Sequence, residues 1–182
     1  MHQAQSSFPF LHRLADSAGD VILPRFRSVM KVGSKTSDGD SGFDPVTEAD
    51  REAEKVMRAL INEQYPEHGI LGEEFGPENV DAEYVWVLDP IDGTRAFISG
   101  LPLWGVLIGL RHRSAPAVGM VAQPYLGERF FGDASGSFLS RGGETNPIST
   151  RCCTSVADMT LSTTSPEMFA QAELQRFHAV ED

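Results

Sequence analysis

Trp86-Val87-Leu88-Asp89-Pro90-Ile91-Asp92-Gly93-Thr94 carries an apolar run into a tight turn bearing two carboxylates and a glycine. Tyr84 to Leu88 is β-branched, aromatic and aliphatic, the composition of a strand buried on both faces, and its expected end is Asp89-Pro90, where proline cannot donate to a ladder. The chemistry therefore falls at a strand end. Asp89 and Asp92 offer hard carboxylate oxygens and the Ile91 carbonyl another, a donor set that suits Mg²⁺. Gly93 lets the backbone approach a ligand closely. Thr94 opens a short helical segment through Arg95 and Phe97, so the Gly93 and Thr94 amides face outward where an anionic phosphate is favoured. The stretch reads as a metal-and-phosphate site of a hydrolase. An ordinary Asp-Gly turn between two core segments accounts for the same residues, and one turn does not decide between them.

Two further acidic clusters favour the site. Gly69-Ile70-Leu71-Gly72-Glu73-Glu74 is a short apolar strand ending in paired glutamates, which makes Glu73 a third ligand candidate. Asp44-Pro45-Val46-Thr47-Glu48-Ala49-Asp50 precedes a helix whose apolar residues Ala53, Val56, Met57, Leu60 and Ile61 recur at helical spacing. Thr47 and Asp50 form a capping box, and Asp50 either ties down the first turn alone or also faces a metal.

These three motifs, in this order and spacing, resemble those of the Mg²⁺-dependent inositol-monophosphatase-like phosphatases. The resemblance implies a phosphomonoester hydrolase assisted by two or three Mg²⁺ ions. It makes Glu73, Asp89, the Ile91 carbonyl and Asp92 metal ligands and gives Asp50 a further metal or its waters. Thr94 then helps activate the attacking water, with Asp50 and Glu73 counted beside it as catalytic residues, and Gly93 with Thr94 meets the phosphate. Lys35, ahead of a polar Gly-rich loop, stands where such enzymes often place a basic residue, although an exposed lysine is the commoner explanation.

Thr94-Arg95-Ala96-Phe97-Ile98-Ser99-Gly100 is similar to the histidinol-phosphate phosphatase branch, as is Thr163 to Phe169. Inositol-type members usually carry a second threonine and an asparagine where Arg95 and Ala96 stand. An arginine opposes the positive end of a helix unless an anion compensates it, so Arg95 is the candidate substrate contact. Histidinol phosphate is the expected substrate. Inositol 1-phosphate or a nucleotide phosphate is the alternative within the class, and an inactive metal-binding fragment the alternative outside it.

Composition is consistent with this reading. The 182 residues are 41% hydrophobic and carry a formal charge of -11, which argues against nucleic acid and an acidic membrane surface as partners. An acidic protein acting on an acidic ester needs cations as mediators. Cys152 and Cys153 are adjacent, wrong for a structural bridge or a zinc site. With no charged and apolar leader and no membrane-spanning run, the expected location is cytoplasmic, and a homodimer is allowed. His2, His12, His68, His112 and His178 read as surface residues.

The pattern along the chain is α/β, more specifically α+β. A first amphipathic helix from Phe8 to Phe26 is interrupted at Pro24, Val32 to Pro45 is a mobile loop, and the Thr47-capped helix ends near Tyr65-Pro66. Strands follow over 70–72, 84–88, 104–110, 117–123, 129–132 and 136–139, with a hairpin connection over 111–115. A largely antiparallel sheet with helices on one side results. By resemblance this is the first half of a layered α-β-α-β-α sandwich. The expected division is a metal-binding domain over 1–150 and the beginning of a second domain over 151–182. That second part is expected to open with a strand over 159–163 and a helix from Ser165-Pro166 through Phe177, with the sequence breaking off inside it.

Overall fold

The computed structural model describes residues 8–29, 32–34, 45–160, 162 and 169–181. The chain divides into two compact units, Met1–Ser149 and Thr150–Asp182. Lys35 and the segment 163–168 lie outside the described residues.

In the first unit, helix α1 (Phe8–Ile22) runs into a 3-10 turn, Leu23–Arg25, with Pro24 at its start. Helix α2 (Glu48–Gln64) follows the antiparallel pair β1 (Val32–Ser34) and β2 (Pro45–Thr47). The two ends of the expected mobile loop thus form a ladder, because Val32 and Thr47 come opposite one another. The main sheet has eight strands: β3 (Gly69–Gly72), β4 (Gly76–Glu78), β5 (Tyr84–Asp92), β6 (Gly105–His112), β7 (Ala115–Gln123), β8 (Glu128–Asp133), β9 (Gly136–Arg141) and β10 (Glu144–Ile148). Their order is β10-β9-β8-β7-β6-β5-β3-β4, and every pairing is antiparallel except β3 with β5.

Helices α1 and α2 pack on each other and on one face of β5, β6 and β7. Leu11, Leu14 and Ile22 of α1 are wholly buried, as are Met57 and Ile61 of α2. Each contributes about 1.5–3 kcal/mol by leaving water. Val106, Ile108 and Leu110 of β6 join this core, which fixes the face that this strand turns to the helices. Between β6 and β7, Arg113 takes a left-handed φ of 55° in a tight hairpin.

In the second unit, helix α4 (Gln171–Glu181) follows a 3-10 turn, Val156–Asp158. Met159 and Thr160 are not in a strand, and Phe169 lies ahead of the helix. A strand needs a partner to satisfy its backbone, and the described residues of this unit provide none. Cys152 and Cys153 are exposed and unbridged.

Candidate metal and phosphate site

The parallel register of β3 with β5 places Gly72 opposite Leu88, and the Glu73 amide donates to the Leu88 carbonyl at 3.2 Å. Glu73, just past β3, and Asp89, within β5, consequently lie at the same end of adjacent strands. The strand does not stop at Asp89-Pro90. It continues through a bulge, because the three steps from Asp89 to Asp92 oppose only the two from Leu107 to Gly105 on β6. The extra residue absorbs the missing proline donor and re-aims the chain. Pro90 and Ile91 are buried, so the residues between the two aspartates are anchored while Asp92 is exposed and Asp89 half-buried.

Gly93 then turns the chain at a φ of 88°. A β-carbon there would lie 2.7 Å from the Leu103 carbonyl oxygen, so both conformation and space require glycine. Helix α3 (Thr94–Ile98) follows, closed by Phe97 N–H on the Gly93 carbonyl at 3.0 Å. Phe97 is buried against Phe26 and Trp104, with ring centroids 5.3 and 5.1 Å away. This fixes the turn from below. The Thr94 hydroxyl donates to the Ile91 carbonyl at 3.0 Å. Arg95 is exposed on the first turn.

Asp50 is buried, at 2% exposure, in the first turn of α2. Its Oδ2 accepts the Thr47 amide at 2.9 Å and the Thr47 hydroxyl, and the capping box is present. Helix α3 packs against β2, which brings the segment ahead of Asp50 to the turn carrying Thr94.

Among the described residues, no three His, Cys, Asp or Glu side chains form a group able by itself to hold a metal ion. The donors at this sheet end are nonetheless all hard oxygens: the Glu73, Asp89 and Asp92 carboxylates and the Ile91 carbonyl. That chemistry fits Mg²⁺ and excludes a soft-metal site.

Glu54 and Arg58 are absent from the sequence reading and belong to the architecture of this end. The Glu54 side chain is fully buried on α2, and Arg58 Nε donates to it at 2.7 Å. The available signal was Glu54's place beside the apolar stripe of Ala53, Met57 and Ile61. Two histidines also depart from the surface assignment. His68 is half-buried between Tyr65 and Tyr84, at 4.6 and 5.0 Å, and burial lowers its pKa. Burial, reinforced by Arg129, lowers that of His12, which packs on Phe131. No helix among the described residues is long and apolar enough to cross a membrane.

The model of the inositol monophosphatase family matches residues 4–178. A chloroplastic bifunctional phosphatase, IMPL2, of Arabidopsis thaliana is 40% identical over 171 residues, covering 93% of this chain and 47% of that protein. A histidinol-phosphatase of Chlorobaculum parvum is 42% identical over 129 residues, covering 70% of this chain and 48% of its own. The chain thus spans about half the length of these curated relatives. Among solved structures, an inositol monophosphatase from Zymomonas mobilis superposes with a TM-score of 0.80 at 38% identity, over 100% of this chain and 67% of that one. The phosphatases named here are phosphoric monoester hydrolases, and the family is generally Mg²⁺-dependent. The chain belongs to the inositol monophosphatase family.

Proposed function

We propose that the chain carries the metal-and-phosphate site of a Mg²⁺-dependent phosphomonoester hydrolase whose substrate is histidinol phosphate. The observation behind this reading is the parallel register of β3 with β5, which sets Glu73, just past β3, at the same end as Asp89 of β5, three residues ahead of Asp92 and the turn to Thr94. Glu73, Asp89, Asp92 and the Ile91 carbonyl are the proposed ligands of two or three ions, with Asp50 serving a further ion or its waters. Bound Mg²⁺ supplies charge neutralisation between these carboxylates and the ester, together with Lewis acidity at phosphorus.

The chain's own residues do the positioning. Thr94 spends its hydroxyl proton on the Ile91 carbonyl, so its oxygen lone pairs are the part left to accept a hydrogen bond from the attacking water and orient it. The Gly93 and Thr94 amides receive the phosphate oxygens in this scheme. Asp50, through the Thr47 cap, steadies the neighbouring helix start. Water displaces the alcohol directly, with no covalent enzyme intermediate.

Two observations support histidinol phosphate: Arg95 follows Thr94, and the Chlorobaculum relative is named a histidinol-phosphatase. The Zymomonas inositol monophosphatase favours inositol 1-phosphate as the second reading. Phosphate release from histidinol phosphate, inositol 1-phosphate and a nucleotide monophosphate, measured with Mg²⁺, separates them. Preference for inositol 1-phosphate would overturn the substrate, and Mg²⁺ binding without hydrolysis of any ester would leave a metal-binding fragment. A cytoplasmic location and a homodimer belong to the same proposal, tested by fractionation and sedimentation.

A further inference from the structure

The turn that presents Glu73 is held on both sides. Its own amide is tied to β5 through the Leu88 carbonyl. The next two amides are tied to α2: Glu74 N–H donates to Glu54 Oε2 at 2.7 Å, and Phe75 N–H donates to Glu54 Oε1 at 3.2 Å. One buried carboxylate thus receives two consecutive backbone donors. Arg58 completes the clamp, donating to Glu54 at 2.7 Å, to Glu78 at 3.0 Å and to the Gly76 carbonyl. Its guanidinium also lies 6.0 Å from the centre of the Phe75 ring.

Glu54 approaches the backbone so closely that a β-carbon on Gly72 would overlap its Oε1 and come 2.8 Å from an Arg58 nitrogen. A buried carboxylate is costly unless paired and fully hydrogen-bonded. Here its hydrogen bonds come from Arg58 and from the backbone of the turn that follows Glu73. Helix packing alone requires no carboxylate at this position; an apolar residue fills such a site at lower cost.

We propose that Glu54, braced by Arg58, is a positioning residue that orients Glu73 toward the metal by clamping the Gly72-to-Gly76 turn onto α2. The inference rests on the reading of Glu73 as a metal ligand, and the test separates the two. Outer partners that orient ligands typically affect metal affinity by about 10–100-fold.

The experiment uses Mn²⁺ as the probe and the full chain as the protein. Its variants are Glu54→Gln, Arg58→Lys, Glu73→Gln and the double variant Glu54→Gln/Glu73→Gln. Mn²⁺ affinity is measured by calorimetry, and amide hydrogen exchange is followed without metal. Glu54→Gln is expected to weaken Mn²⁺ binding about tenfold or more and to speed exchange at Glu74 and Phe75 more than at core strand amides. Arg58→Lys, which cannot span three acceptors, is expected to do the same to a smaller extent and decides the matter if Glu54→Gln does not fold. In the Glu73→Gln background, Glu54→Gln should add no further loss of affinity, because it acts through Glu73.

Wild-type affinity in Glu73→Gln would overturn the ligand reading itself. Weakened binding in Glu73→Gln, but wild-type affinity in Arg58→Lys and in any folded Glu54→Gln, would overturn the positioning role. So would losses that simply add in the double variant.

Discussion

Trp86 donates its indole N–H to Nδ1 of His68 at 3.1 Å, which requires His68 to carry its proton on Nε2 and to be neutral. The imidazole is stacked between Tyr65 and Tyr84, and burial lowers its pKa from 6.5. His12 is also lowered from 6.5, by burial and then by Arg129, whose guanidinium meets its Nδ1 at 2.9 Å. Both groups bind protons more readily in the unfolded chain. Their contribution to stability is complete above pH 6.5 and is lost as pH falls through the depressed folded values. Thermal unfolding from about pH 8 to about pH 5 should show a falling midpoint. His68→Phe should lower the midpoint at the alkaline end, by stranding the indole N–H, and flatten the decline; an unchanged slope would remove His68 from this account.

Asp92 is exposed at the end of β5 and contributes little to the core. Asp92→Asn should abolish phosphatase activity while changing stability without metal by no more than about 0.5 kcal/mol. Removing one charge from neighbouring carboxylates also favours a small gain rather than a loss. Phosphate release and metal titration on the same variant check this, and undiminished turnover would take Asp92 out of the site.

Thr94→Val keeps the β-branched shape and the backbone amides but deletes the hydroxyl that donates to Ile91. Turnover should fall on the order of 10²-fold or more while Mg²⁺ affinity changes little. The lost hydrogen bond should cost about 1 kcal/mol of stability. A collapse of Mg²⁺ affinity with an unchanged chemical step would contradict the role assigned to Thr94.

Gly72→Ala should be among the most damaging single-methyl changes in the chain. The new methyl meets the Glu54 carboxylate, and displacing that group separates it from Arg58 and from two backbone amides. Breaking a buried pair costs about 3–5 kcal/mol, a loss measurable as a shifted denaturant midpoint. A midpoint equal to wild type would show that the turn relaxes without strain.

Much of this architecture was legible because its signals are local. The Thr47–Asp50 cap, the apolar spacing of α2, the hairpin after β6 and the short helix from Thr94 each follow from a few neighbouring residues. Pro90 misled the reading of β5, since a bulge lets the ladder resume at Asp92. Strand β10 was hidden by Asn146-Pro147, whose polarity suits an exposed edge strand where proline costs no ladder bond. Glu54 was hidden for a different reason: an acid four residues before an arginine normally marks a solvated helix face. Only the approach of the turn after β3 converts that pair into a buried clamp. The bearing of Glu73 on Asp89 was likewise beyond local pattern, because it depends on β3 and β5 running parallel.

The central claim, that the carboxylates at this sheet end hold a divalent cation, is tested most directly by paramagnetic broadening of backbone amide resonances during Mn²⁺ titration. At substoichiometric Mn²⁺, broadening should begin at Glu73, Asp89, Ile91, Asp92 and Gly93 and spread outward from them. Broadening centred elsewhere, such as on Asp16 and Asp20 of α1, or spread evenly over the acidic surface, would contradict it.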